Sequence, residues 1–141
     1  MIEALLLTFF FIFCAIALHY YCLKIFSRFM PKATTSHHHD LRSLSILLGL
    51  FLLHMIEILF FTLLVYVITQ IFHLGDFTDK FTPIFRDYFY YTTVSYTTLG
   101  LSDFSPLGHL KVVTGLISLA GFMLLTWSAS FYFKLTNHNV D

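Results

Sequence analysis

Three long apolar stretches constrain the fold of this chain more than any other feature of its sequence. They run over about residues 2–23, 44–72 and 112–133. A helix needs roughly 20 apolar residues to cross a bilayer, so each stretch is long enough to span one. Only 11% of the residues are charged, against about 25% in typical soluble domains. We therefore predict a membrane protein with three spanning helices and exclude a water-soluble enzyme.

The distribution of charge bears on partners and orientation. Eight basic and eight acidic residues balance, so no net field attracts nucleic acid. The linker between the first two spans and the C-terminal end hold five basic residues, and the linker between the last two spans holds three. Because cytoplasmic loops are enriched in Lys and Arg, we predict an external N-terminus and a cytoplasmic C-terminus. The host membrane is predicted to be the plasma membrane.

The segment between the second and third spans is too aromatic for a solvated loop. Thr82 and Pro83 are typical of an N-cap followed by the first helical residue, which predicts a helix over residues 84–96. Thirteen residues rise only about 20 Å, so this helix cannot cross the membrane. The polar, glycine-containing stretch 97–103 follows it. Irregular backbone at membrane depth must be buried in protein or line a water-filled path, so we predict a re-entrant element.

The stretch 90–108, YYTTVSYTTLGLSDFSPLG, resembles the pore loop of tetrameric potassium channels. It matches a variant with Thr-Thr-Leu-Gly in small bacterial channels. The resemblance implies an all-α membrane protein: three transmembrane helices plus a re-entrant pore helix and a selectivity-filter loop, assembled as a homotetramer. It also implies two parts: residues 1–42, an extra N-terminal helix with a cytoplasmic linker, and residues 43–141, a two-span pore domain.

The same resemblance implies the residues that hold the permeant cation. Filters of this kind replace the hydration shell of an ion with rings of backbone carbonyls. Gly100 would supply the conformation that other residues resist, and Asp103 would concentrate cations at the outer mouth. The implied filter consists of Thr98, Leu99, Gly100, Leu101 and Ser102. The ligand would be K⁺ or, alternatively, Na⁺, and no cofactor is expected.

Three positions depart from the family pattern. Leu101 replaces the usual filter Tyr, so Tyr90 and Tyr91 of the pore helix must find other hydrogen-bond partners. Ser102 replaces the second filter Gly, and a positive φ there would cost roughly 1–2 kcal/mol. Val94 replaces a pore-helix Glu, so the carboxylate at the outer mouth lacks its family partner. We expect residues 98–100 to keep the filter geometry and residues 101–102 to be widened or mobile.

Small and polar residues in the third span recur at spacings of four, three, four and three, which places them on one helical face. We interpret this face as pore lining, with Gly121 at the position of the family's inner-helix hinge. The alternative is tight packing on a neighbouring helix. The face consists of Thr114, Ser118, Gly121, Leu125 and Ser128.

His54 and Glu57 lie three residues apart in the second span and so share one face. Ionisable groups inside a membrane are costly and invite a functional hypothesis. We interpret them as a hydrogen-bonded pair that joins the second span to its neighbours, with coupling of pH to gating as an alternative. A metal site with His19 would need more ligands at consistent spacing. The three histidines at residues 37–39 could chelate a transition metal across a tetramer, with a solvated linker as the alternative.

The predicted function is passive, potassium-selective conduction through a homotetramer in the lipid bilayer, without enzymatic activity. Two alternatives remain open. One is a non-selective or sodium-permeable channel of the same architecture, suggested by Leu101 and Ser102. The other is a non-conducting regulator with a degenerate filter.

Overall fold

A computed structural model describes residues 1–29, 36–78 and 80–137, except for the side chains of residues 29, 36–40, 42, 136 and 137. It contains the three long helices that the sequence predicts: α1 over Ile2–Phe29, α2 over Ser36–Tyr66 and an inner helix over Leu110–Asn137. Each is long and apolar enough to cross a membrane. The side chains of residues 37–39 lie outside the described residues, so the transition-metal hypothesis there is not addressed.

A short helix, α3, occupies Phe85–Tyr96 between the second and third spans, and the inner helix is therefore α4. Its 12 residues rise about 18 Å, too little to cross the bilayer. It packs against both α2 and α4, which confirms the re-entrant element. The predicted start is wrong, because Thr82 does not cap the helix. Ile84 is the N-cap residue, with an extended backbone and no side-chain cap.

The first helix packs along both α2 and α4. Phe61 of α2 and Ile117 of α4 are fully buried in the shared apolar core, as is Ala15 of α1. The N-terminal nitrogen lies 3.4 Å from His109 Nε2, immediately before α4. The N-terminus and the start of α4 are therefore at the same end of the molecule.

Two short antiparallel strands, which the sequence analysis did not predict, join the ends of the re-entrant segment. β1 spans Gly75–Phe77 and β2 spans Pro106–Gly108, with Asp76 opposite Leu107. A Cβ at Gly75 would lie 2.7 Å from the Cβ of Leu110, so only glycine allows this close approach. The pairing of the strands places the end of the re-entrant segment beside its beginning. This pairing holds the segment in place between α2 and α4.

Candidate functional site: the re-entrant loop and the polar cluster beneath it

The end of α3 determines how the loop begins. Thr97 is the C-cap, and Thr98 follows with a φ of +57°. The Thr98 N–H donates to the Ser95 carbonyl at 3.1 Å, and the Leu99 N–H donates to the Val94 carbonyl at 3.0 Å. This is the Schellman pattern, in which the residue after the cap is left-handed. The helix cap therefore places Thr98 in its uncommon conformation.

Gly100 is the second residue of the loop with a left-handed backbone, at a φ of +71°. A Cβ there would meet no atom within 4 Å, so backbone conformation alone requires glycine. Thr98 and Gly100 therefore flank Leu99, whose φ is not positive. The expectation of strain at Ser102 is wrong: its φ is not positive. Its Oγ instead accepts the Phe104 N–H at 3.2 Å and closes a turn.

The two pore-helix tyrosines have the new partners that the loss of the filter Tyr requires. The Tyr90 hydroxyl donates to the Leu101 carbonyl at 2.5 Å. The Tyr91 hydroxyl instead hydrogen-bonds to the Thr114 hydroxyl of α4. Tyr90 therefore supports the outer part of the loop directly, and the Leu101 carbonyl is engaged by its own chain.

Asp103 follows the loop and is exposed. Within the part of the chain that the structure describes, its carboxylate has no hydrogen bond or salt bridge. Val94 itself is buried, with 5% exposure. The Asp103 carboxylate is thus available to cations in solution.

Polar contacts fix the beginning of α3. The Tyr88 hydroxyl lies 3.1 Å from the Thr69 hydroxyl and accepts the Gln70 side-chain N–H at 2.9 Å, in the π-helical turn Val67–Ile71 that ends α2. Asp87 accepts the Thr82 backbone N–H at 3.1 Å and the Arg86 Nε–H at 3.0 Å. Burial acts to raise the pKa of Asp87, but these hydrogen bonds outweigh it and lower the pKa below its ordinary value. The sequence analysis missed Tyr88 and Asp87.

The stripe of small residues on α4 packs against its own chain. Ser118 Oγ donates to the Ser95 carbonyl at 2.8 Å, and Thr114 contacts Tyr91. A Cβ at Gly121 would lie 2.1 Å from the Tyr96 carbonyl oxygen. Leu125 packs against the apolar core and Ser128 is buried. These contacts within the chain support the packing alternative for this face, and pore lining stays a prediction.

Below the end of α3, five polar side chains from all four helices meet. His54 Nδ1 and Glu57 Oε2 are 2.9 Å apart, which is the pair that the sequence predicts. His19 Nδ1 lies 2.8 Å from Glu57 Oε1, and the Tyr96 hydroxyl donates to Glu57 Oε2 at 2.6 Å. Ser128 Oγ lies 2.9 Å from His54 Nε2. We call these five residues the polar cluster; its ionisable members were visible in the sequence, whereas Tyr96 was not singled out.

The loop exposes large apolar side chains in the single chain. Leu99 and Leu101 are 61% and 70% exposed. A cavity of about 370 Å³ lies between α3, the loop and α4, lined in part by Thr98, Gly100 and Ser102. Exposed apolar surface at a polar loop is typical of a contact with another molecule.

A comparison with family models gives one match: the model described as “Ion channel” covers residues 53–137. The matched region contains the C-terminal part of α2, from residue 53 onward, and all of α3 and α4, and it makes up more than half of the chain. Searches of curated proteins and of solved structures gave no match.

Proposed function

Because the chain belongs to the ion channel family whose model covers residues 53–137, we propose that four copies surround an axis and conduct K⁺ passively. The observation that carries this proposal is the alternation of left-handed Thr98 and Gly100 directly after a capped pore helix. The rings of ligands would be the Thr98 hydroxyl and the carbonyls of Thr98, Leu99 and Gly100. The protein is a multi-pass membrane protein and needs no enzymatic step for this role.

A tetramer is supported by what one chain leaves incomplete. A single loop cannot close a carbonyl ring, and symmetric assembly is the usual solution. Leu99 and Leu101 are exposed in the isolated chain. Because the small-residue stripe packs against its own chain, we place the opposite face of α4 toward the axis and the neighbouring copies. That face carries the exposed side chains of Leu119, Phe122 and Met123.

The further assignments are part of the same proposal. We place residues 1–42 as an added helix and linker and residues 43–141 as the pore domain, which contains the family match. The resemblance to small bacterial channels implies the plasma membrane, and the Lys and Arg distribution places the N-terminus outside. The shared end of the N-terminus and α4 supports a filter that opens on the same side as the N-terminus.

The hydrogen bond to the Leu101 carbonyl favours a less selective cation channel as the second candidate function. The Leu101 carbonyl, which the family pattern would turn to the ion, accepts the Tyr90 hydroxyl. We therefore expect three ordered ion-binding rings rather than four, and weaker discrimination between K⁺ and Na⁺ than the family pattern implies.

A flux assay tests conduction and assembly together. Purified protein in K⁺-loaded liposomes should polarise the membrane when the outside solution contains Na⁺, and native mass spectrometry should show four chains. A tetramer without flux would support the non-conducting regulator. Flux that does not polarise the membrane would support the non-selective channel.

Replacing Tyr90 with Phe is expected to lower the K⁺/Na⁺ permeability ratio by about fivefold. The change removes one hydrogen bond, worth about 1 kcal/mol, from the wall of the filter. Leu101 follows Gly100 directly, so a loosened Leu101 lets the Gly100 ring widen. Reversal potentials measure the ratio. Tyr91→Phe is the matched control, because its hydroxyl bonds to α4; equal effects of both changes would contradict the role of Tyr90.

Replacing Asp103 with Asn is expected to reduce single-channel conductance roughly twofold in 10 mM salt and to have little effect in 1 M salt. Four exposed carboxylates concentrate cations, and the Debye length falls from about 30 Å to about 3 Å between these concentrations. Conductance as a function of salt measures this. A reduction that persists at 1 M salt would assign Asp103 a structural role instead.

A further inference from the structure

The polar cluster is buried within the membrane part of the molecule. His19 and Glu57 are completely buried, and the His54 side chain is 13% exposed. The hydrogen bonds of the cluster join α1, α2, α3 and α4 at one point. Unpaired polar groups are costly inside a membrane protein. The hydrogen-bond contacts of the cluster therefore indicate how many protons it holds.

We propose that the polar cluster is a binding site for one proton, which is shared by His19, His54 and Glu57 and joins the base of the filter to α4. Both Nδ1 atoms face the Glu57 carboxylate, at 2.8 and 2.9 Å. Both Nε2 atoms face the single Ser128 hydroxyl, at 2.9 Å from His54 and 3.4 Å from His19.

One proton beyond two neutral imidazoles and a carboxylate would give each of these contacts a donor. His54 Nδ1 also lies 2.8 Å from the Tyr96 hydroxyl oxygen; because the Tyr96 hydroxyl proton is donated to Glu57, His54 Nδ1 is the donor in this contact. If both Nδ1 atoms donate to Glu57, the two neutral Nε2 atoms must both accept from Ser128, which has only one hydroxyl proton. An added proton turns one Nε2 atom into a donor and completes the network. Its positive charge balances Glu57, so the buried cluster becomes neutral. The same proton placed on Glu57 also completes the network, so the count does not depend on its position.

The surroundings favour a cationic His19. Its ring centroid lies 5.2 Å from that of Trp127 in α4, within the range of a cation–π contact. The titratable side chains that face Glu57 are His19 and Cys22 from α1, His54 from α2 and Tyr96 from α3, while α4 contributes the uncharged Ser128 and Trp127. Of the three proton-sharing residues, His54 alone is partly exposed at the surface of the chain.

The contacts favour a proton over a metal ion. The ligand atoms of His19, His54 and Glu57 lie within 4.8 Å of one another. However, a tetrahedral Zn²⁺ with bonds of about 2.0–2.1 Å holds its ligand atoms roughly 3.3 Å apart. The nitrogen–oxygen and oxygen–oxygen contacts at the carboxylate are 2.6–2.9 Å, which are ordinary hydrogen-bond lengths.

Loss of the proton would affect the filter base through two contacts. The Glu57 carboxylate would then have no compensating charge. The two histidine Nε2 atoms would both have to accept from the single Ser128 hydroxyl. Tyr96, which donates to Glu57, precedes the filter residue Thr98 by two positions, and Ser128 lies seven residues after Gly121. We therefore expect alkaline pH to weaken the joint between α3 and α4.

Nuclear magnetic resonance of ¹⁵N-histidine-labelled protein in bilayers, combined with infrared spectroscopy, tests the site without relying on conduction. At neutral pH the imidazolium signal removed by His19→Gln or His54→Gln, plus any carboxylic-acid band removed by Glu57→Gln, should total one proton per chain. The wild-type total should fall to zero in one step as the pH rises. A total of zero from pH 6 to 9 would overturn the proposal. So would binding of one Zn²⁺ per chain that His19→Gln abolishes.

A stability measurement adds a second readout that does not require a signal from each variant. If the folded protein holds one proton more than the separated helices, the folding equilibrium changes tenfold per pH unit in that range, and stability falls as the pH rises. His109→Gln, at the exposed outer end, is the matched control and should keep this slope. A wild-type slope of zero would contradict the proposal.

The effect on current depends on the proposed channel function. If the channel conducts, its open probability should change over the same pH range as the spectroscopic step, and Glu57→Gln should remove the change. A spectroscopic step without any current would leave the proton site intact and contradict the proposed function. A current that does not vary with pH, together with a clear spectroscopic step, would contradict the coupling between the cluster and the filter.

Discussion

Replacing Gly100 with alanine is expected to reduce the potassium current at least about 1000-fold. Gly100 has a φ of +71°, and an L-residue in this region costs roughly 1–2 kcal/mol. The cost repeats in four subunits, so roughly 4–8 kcal/mol opposes the conducting form. Since each 1.4 kcal/mol is a factor of ten, the conducting form becomes rare. Whole-cell or bilayer current, normalised to the amount of tetramer, measures the loss.

A matched control separates backbone conformation from side-chain volume. A Cβ at Gly100 would meet no atom of its own chain within 4 Å, so a clash within the chain does not explain a loss of current. D-Alanine, introduced by semisynthesis, has the same Cβ and favours positive φ. It should restore most of the current. Equal loss with both enantiomers would show that crowding at the axis, rather than φ, requires glycine.

Replacing Gly121 with alanine is expected to separate α4 from the end of α3 and to lower stability by more than the roughly 1–3 kcal/mol of ordinary overpacking. The new Cβ would lie 2.1 Å from the Tyr96 carbonyl oxygen and 2.8 Å from its carbon. These are backbone atoms at the base of the filter, so they cannot turn aside as a flexible side chain would. Thermal unfolding in detergent, followed by tryptophan fluorescence, measures the loss.

Gly115→Ala is the matched control for this change. Gly115 lies on the same helix, and a Cβ there would meet nothing within 4 Å. Alanine also favours a helix by about 1 kcal/mol relative to glycine, so this variant should be at least as stable as the original protein. If Gly121→Ala unfolds at the same temperature as Gly115→Ala, the close packing of α4 on Tyr96 would be contradicted.

The spans and the re-entrant helix could be predicted because they depend on length and hydrophobicity, which are local properties. The start of α3 could not be predicted in this way. Thr82 and Pro83 are typical of a helix cap, but the Thr82 N–H instead donates to the Asp87 carboxylate. The strands β1 and β2 are three residues each and form only when distant segments meet. Three residues are too few to show the sequence pattern that would predict a strand.

The site was predictable in its position and less so in its details. Periodicity identified the stripe on α4 but not what it faces, since a small residue suits both a pore and a close helix contact. Strain was expected at Ser102, whereas the helix cap places it at Thr98. Ionisable residues in the apolar spans pointed to the polar cluster, but the contribution of Tyr96 depends on the tertiary position of α3.

The most direct test of the account is the reversal potential with K⁺ on one side of the membrane and Na⁺ on the other, measured for the purified protein in planar bilayers. The account predicts a reversal potential displaced toward the potassium equilibrium potential, because the proposed rings of Thr98, Leu99 and Gly100 would select K⁺. A clear current that reverses near zero would contradict potassium selectivity.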